Sequence, residues 1–182
     1  MSFSYTQQEV DLLNRLRQLW EQHVYWTRFF IISTVADLGD LDAVTQRLLR
    51  NPKDFAKVLA DFCGAMPAME FEELLTQHLM IGGQLVNAAK EHDNVKADEL
   101  RGEWYQNADE IAAFLAYLNP YWDQKTWQTM LYDHLSMTEQ EAALRLQGDY
   151  AQDIQVFDKI EEEALAMADY MFQSIREHCL RR

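Results

Sequence analysis

Residues 12–35 read LLNRLRQLWEQHVYWTRFFIISTV, with apolar members at three- and four-residue steps: Leu12, Leu16, Leu19, Trp20, Val24, Phe30, Ile31 and Val35. That spacing follows the 3.6-residue turn and predicts one amphipathic helix with a continuous inward stripe. In front of it, Thr6 and Glu9 form a capping box in which each side chain bonds an amide that the first turn leaves free. Gly39 marks the end. His23 lies within the stripe, close to its middle.

The same reading extends along the chain. A short helix is expected over 42–50. Asn51-Pro52 then restarts the chain, with Asn as N-cap and Pro at the first helical position, and this segment ends near Gly64. A second long helix after Pro67 carries Phe71, Leu74, Leu75, His78, Leu79, Leu85 and Val86 on one face. A helical stretch follows residues 92–94, with a second restart expected at Asn107 and a stop at Asn119-Pro120. The third long helix runs from Asp123 to Gly148 through Trp127, Leu131, His134 and Leu135. After the Gly148-Asp149 turn, the fourth carries Phe157, Ala164, Ala168, Met171 and Phe172.

Part of the chain reads as a copy of itself. NPKDFAKVLA at 51–60 aligns with NADEIAAFLA at 107–116 at an offset of 56, and the same offset carries His78-Leu79 onto His134-Leu135. Residues 19–24, LWEQHV, resemble 74–79, LLTQHL, as a looser third copy. The expected architecture is all-α: one domain over 1–182, an up-down bundle of four long helices with two crossover segments of shorter helices and an internal repeat of about 56 residues.

Composition narrows the function classes. Six Gly and three Pro are too few for the turns of an all-β fold, and 48% hydrophobic residues argue against disorder. The formal charge of −14 repels phosphate backbones and anionic lipid, so neither nucleic acid nor membrane is an expected partner. No basic segment precedes an apolar run at the N-terminus, so no secretory signal is expected. Cys63 and Cys179, without CxxC spacing, read as two reduced thiols of a cytoplasmic protein.

His23, His78 and His134 each fall near the middle of a long helix on its apolar face, so all three are expected at one depth of the bundle. Glu161 holds a matching place on the fourth helix, and Glu141 points inward two turns beyond His134. Buried imidazoles and carboxylates need partners, and one metal ion would satisfy all five. Histidine with carboxylate suits a divalent transition metal such as zinc, iron or manganese. Gly82 and Gly83, costly inside a helix, leave room beside His78 for a ligand or a close helix contact. Arg28 reads either as an anion clamp near the site or as one half of an ion pair.

The chain resembles a family of small bacterial helical proteins of unassigned function, through residues 19–28 (LWEQHVYWTR), 47–56 (RLLRNPKDFA), 119–122 (NPYW) and 130–135 (MLYDHL). Some members carry the label acetylglutamate kinase, an activity of an α/β fold that this helical pattern does not form. EQHVYWTR, and LYDHL followed by Glu139 and Glu141, are similar to stretches of ferritin-like metal-binding bundles, although the ferritin pairing of Glu with ExxH is absent. The resemblance implies a metal-binding helical bundle.

The expectation is therefore a metal centre of three histidines and a carboxylate, with a small anion or small molecule as its ligand; the assembly is left open between a monomer and a homodimer. The sequence names no reaction: hydrolysis, redox chemistry and storage all fit. The rival is a non-catalytic ligand-binding or protein-interaction bundle in which the histidines only satisfy hydrogen bonds.

Overall fold

The computed structural model describes residues 5–180, with side chains through residue 178. Among the described residues there is helix and no strand. The elements are α1 (Gln7–Val35), α2 (Leu41–Leu48), α3 (Asn51–Cys63), α4 (Ala65–Lys90), α5 (Asn94–Leu118), α6 (Gln124–Gln147) and α7 (Tyr150–Ile175), closed by a π-helical turn, Arg176–Leu180. The Thr6–Glu9 capping box is present. Asp123 and Asp149 cap α6 and α7 by accepting from Thr126 N and Gln152 N. Gly64 at φ 86° and Gly148 at φ 77° make the tight joints α3–α4 and α6–α7 in backbone regions that a side chain disfavours. Cys63 donates to Leu59 O, and the Cys179 side chain lies outside the described residues.

The chain has five long helices where the sequence pattern predicts four. α5 is continuous over 25 residues, with no restart at Asn107. The contrast with the break between α2 and α3 has a local cause. Pro52 has no N–H to give to the carbonyl of Leu48, and its ring clashes with that carbonyl, so α2 stops at Leu48 and α3 starts after a two-residue turn. At the position aligned with Pro52 stands Ala108, which interrupts nothing. Neither Asn51 nor Asn107 caps a helix; both side chains are buried and turned toward histidines.

The histidine-bearing helices α1, α4 and α6 all touch one another and form the inner layer. Each outer helix lies across two of them: α3 against α1 and α4, α5 against α4 and α6, α7 against α6 and α1. Seven residues before each histidine, Leu16, Phe71 and Trp127 are fully buried, and three residues before it Trp20, Leu75 and Leu131 nearly so. Trp20 and Trp127 stack at 6.4 Å beneath the histidines. The outer helices return matching apolar faces, Phe55, Ile111 and Met167, then Leu59, Leu115 and Met171, all essentially inaccessible. This dry floor holds three polar rings at one level. Among the described residues, no helix is long and apolar enough to cross a membrane.

Candidate metal centre

His23, His78 and His134 meet in the middle of the inner layer. Each is 2% exposed, and one ring nitrogen from each lies within 4.8 Å of the other two. The ring centroids stand 5.5 to 6.5 Å apart.

An outer helix orients every ring. Asn51, at the start of α3, gives its amide N–H to Leu19 O (2.9 Å), which turns its oxygen toward His23 Nδ1 at 3.2 Å. Asn107 repeats this on α5: its amide donates to Leu74 O (3.1 Å) and its oxygen faces His78 Nδ1 at 2.9 Å. An oxygen only accepts, so Nδ1 must be the protonated nitrogen on both rings, leaving Nε2 with its lone pair. His134 meets a carboxylate instead: Glu163 Oε2 on α7 lies 3.3 Å from its Nδ1, within ion-pair reach but off the line of a good hydrogen bond. Both Glu163 oxygens are buried and without an aligned donor.

The rings of His23 and His78 are neutral by environment. Burial pushes the His23 imidazole well below its ordinary value, His134 and His78 add to that, and the bond from Asn51 opposes it. Burial and then His134 push His78 down to about 3, again against its asparagine. His23 and His78 therefore each keep an unprotonated Nε2 in a dry core where three rings meet, an unfavourable grouping of acceptors unless something positive or proton-bearing sits among them.

Of the carboxylates marked by the sequence, neither joins this cluster. Glu161 lies on the α1-facing flank of α7, half-buried, and accepts from Tyr25 Oη at 2.7 Å. Successive helix residues are rotated by about 100°, so Glu163 takes the opposite flank and faces α6. Glu141 is 2% exposed but bound to Arg28 at 2.6 Å. Arg28 also holds Asp153 at 2.7 Å and lies 4.6 Å over the Phe157 ring, so it is an ion-pair partner rather than an anion clamp. Burial pushes the Glu141 carboxyl up to about 7 against the pull of Arg28. The sequence reading missed Asn51, Asn107 and Glu163 as ring holders. The offset of 56 that aligns the two asparagines lands next on Glu163.

Above the rings lies a cavity of about 160 Å³. Its walls come from the residues after each histidine, Thr27 to Ile31, Leu79 to Ala89 and Thr138 to Leu146, so the three inner helices run past it in the same direction. Most of the lining is apolar. The hydroxyls of Thr27 and Thr138 are spent on the carbonyls of His23 and His134 one turn below. Gly82 takes the close helix contact: a Cβ there would come within 3.0 Å of the Trp104 ring, which lies 5.2 Å from His78. Arg101 and Glu139, paired at 2.7 Å, form the polar edge. Compared with known proteins, the chain matches no family model, no curated protein and no solved structure.

Proposed function

We propose that this chain is a metal-binding helical protein whose centre holds one divalent transition ion, zinc, iron or manganese, on the Nε2 atoms of His23, His78 and His134. The carrying observation is the convergence of three buried imidazoles whose Nδ1 atoms are all turned to an outer-helix partner. Metal-ligating histidines characteristically give the other ring N–H to a carbonyl or carboxylate, which fixes the tautomer and strengthens the donor nitrogen. Nitrogens shared by one zinc lie about 3.3 Å apart, so the rings draw in by about an ångström on loading. Three protein ligands leave a coordination position open toward the cavity, the pattern of sites that bind a further ligand rather than purely structural ones. The donor set differs from the carboxylate-rich sites of ferritin-like bundles.

The centre is built, in the same proposal, by three copies of one helix pair: α1 with α2 and α3, α4 with α5, and α6 with α7. In support, the ring holder follows its histidine by 28 residues in the first pair and 29 in the second, and Glu163 stands 29 after His134.

Elemental analysis of purified protein tests the metal, with one ion per chain expected. Saturating zinc, manganese or iron added to the stripped protein at a hundred times Kd should add about 2.7 kcal/mol, a rise in Tm of about 5–10 °C for a chain of this size. His78→Ala should abolish that increment. A chain that takes up no metal and gains no stability from any of the three ions refutes the proposal and leaves a ligand-binding or interaction bundle.

A further inference from the structure

We infer that the cavity above the histidines receives the apolar tail of a short-chain monocarboxylate whose head group takes the open position on the metal. This rests on the proposed metal centre. Three features of the cavity specify the ligand.

Charge sets the head group. A divalent ion on three unprotonated imidazoles, with the Glu163 carboxylate beside His134, leaves one positive charge, and the Arg101–Glu139 pair at the cavity edge is balanced within itself and does not cancel it. A net charge in such surroundings is unfavourable, and one monoanion removes it while a dianion overshoots.

Hydrogen bonding selects a head with a second acceptor. Four buried indole N–H groups among the described residues have no acceptor: Trp20, Trp104, Trp122 and Trp127. Of these only Trp104 lines the cavity, where its ring lies against Gly82, one turn above His78. A carboxylate with one oxygen on the metal can take the Trp104 Nε1–H on the other, satisfying a donor that is otherwise orphaned.

Walls and volume set the tail. Ile31, Leu79, Val86, Ala142 and Leu146 offer only aliphatic surface. A cavity near 150 Å³ with such a lining admits a guest the size of benzene, so a tail of about five carbons fills this one.

The test uses the full chain loaded with cobalt(II), whose visible bands report ligation, and titrates it with hexanoate, acetate, adipate and 1-hexanol. Hexanoate should shift the bands and bind at least tenfold more tightly than acetate, since its four additional methylenes leave water for the aliphatic walls. Adipate and 1-hexanol should leave the bands unchanged. Trp104→Phe should weaken hexanoate about tenfold at unchanged cobalt stoichiometry. Ala142→Leu, which fills the tail space, should erase the advantage of hexanoate over acetate. A chain that holds one cobalt yet shows no band shift with hexanoate, binds 1-hexanol equally well, or keeps its hexanoate preference in Ala142→Leu overturns this inference and leaves the metal centre standing. Failure to bind cobalt at all overturns both.

Discussion

Acidifying the metal-free protein tests the neutrality of the buried rings. Burial holds His78 at about 3 in the folded chain, whereas an unfolded histidine titrates near 6.5. As pH falls from 6.5 to 4.5 the unfolded chain takes up a proton that the folded one refuses, so stability falls with pH. For His78 alone the loss across that window is about 2.3 kcal/mol, from linkage at 1.36 kcal/mol per pH unit. His23 is depressed in the same direction and adds to the loss. Glu141 works against them: with its folded pKa raised to about 7, the folded chain holds a proton there that the unfolded one lacks, and stability from this group is lost as pH rises toward 7. The total curve therefore mixes signs, and the informative quantity is a difference. Urea unfolding of wild type and of His78→Gln at pH 6.5, 5.5 and 4.5 cancels the shared contributions of Glu141 and His23 to first order. The advantage of wild type over the variant should shrink by about 2 kcal/mol across the series. A difference that stays constant with pH refutes the reasoning, because the ring would then titrate in the folded chain as it does in water and could not be one of three fixed acceptors.

Two further substitutions separate roles that resemble each other on paper. Glu163→Gln should cost 10- to 100-fold in zinc affinity, read by competition with a chromogenic chelator, because the His134 ring loses the charge behind its donor nitrogen. The same variant should not lower the Tm of stripped protein, since neither Glu163 oxygen has an aligned donor to lose; a drop in Tm without a change in affinity would make Glu163 purely structural. Arg28→Leu should destabilise the fold by about 3–5 kcal/mol at pH 8, where Glu141 and Asp153 lose their shared partner. Its deficit should narrow at pH 5 as Glu141 takes up a proton, and equal deficits at both pH values would contradict the ion-pair account.

How much the sequence discloses depends on how local the physics is. Helical periodicity is local, and the extents of α1, α6 and α7 follow from it to within a few residues. The three histidines are legible for the same reason, each lying on the inward stripe of its own helix. The continuity of α5 is not legible from Asn107, because an asparagine before an apolar run looks the same whether it caps a helix or reaches across to a ring. Only Pro52 against Ala108 distinguishes the broken outer helix from the unbroken one. The choice between Glu161 and Glu163 depends on which neighbour each flank of α7 meets. Periodicity places both beside the stripe and cannot say that one flank faces Tyr25 and the other His134. Glu141 is buried as its spacing implies, but a buried carboxylate is satisfied equally well by an arginine as by a metal, and its partner Arg28 lies 113 residues away, out of view of any short motif.

Duplication alone accounts for three histidines at one level, so their number is weak support for a metal. The departures between the proposed copies are stronger. The ring holders are Asn51, Asn107 and Glu163; the residues one turn above the rings are Thr27, Gly82 and Thr138; and at the offset of 56 Leu48, Trp104 and Ile160 correspond. Packing of the outer layer requires none of these differences, since the matching apolar faces of α3, α5 and α7 are buried alike. Gly82 and Trp104 are a matched pair, the missing side chain of one making space for the ring of the other. The single carboxylate stands behind one ring only, which is where a cation on three neutral nitrogens would first need a counter-charge. Copies freed from function diverge first on exposed positions, where substitutions cost little. Here three sets of buried or half-buried positions at the rings and the cavity differ while the dry floor below stays uniformly apolar, and under the proposed triplication that distribution favours a centre specialised after copying.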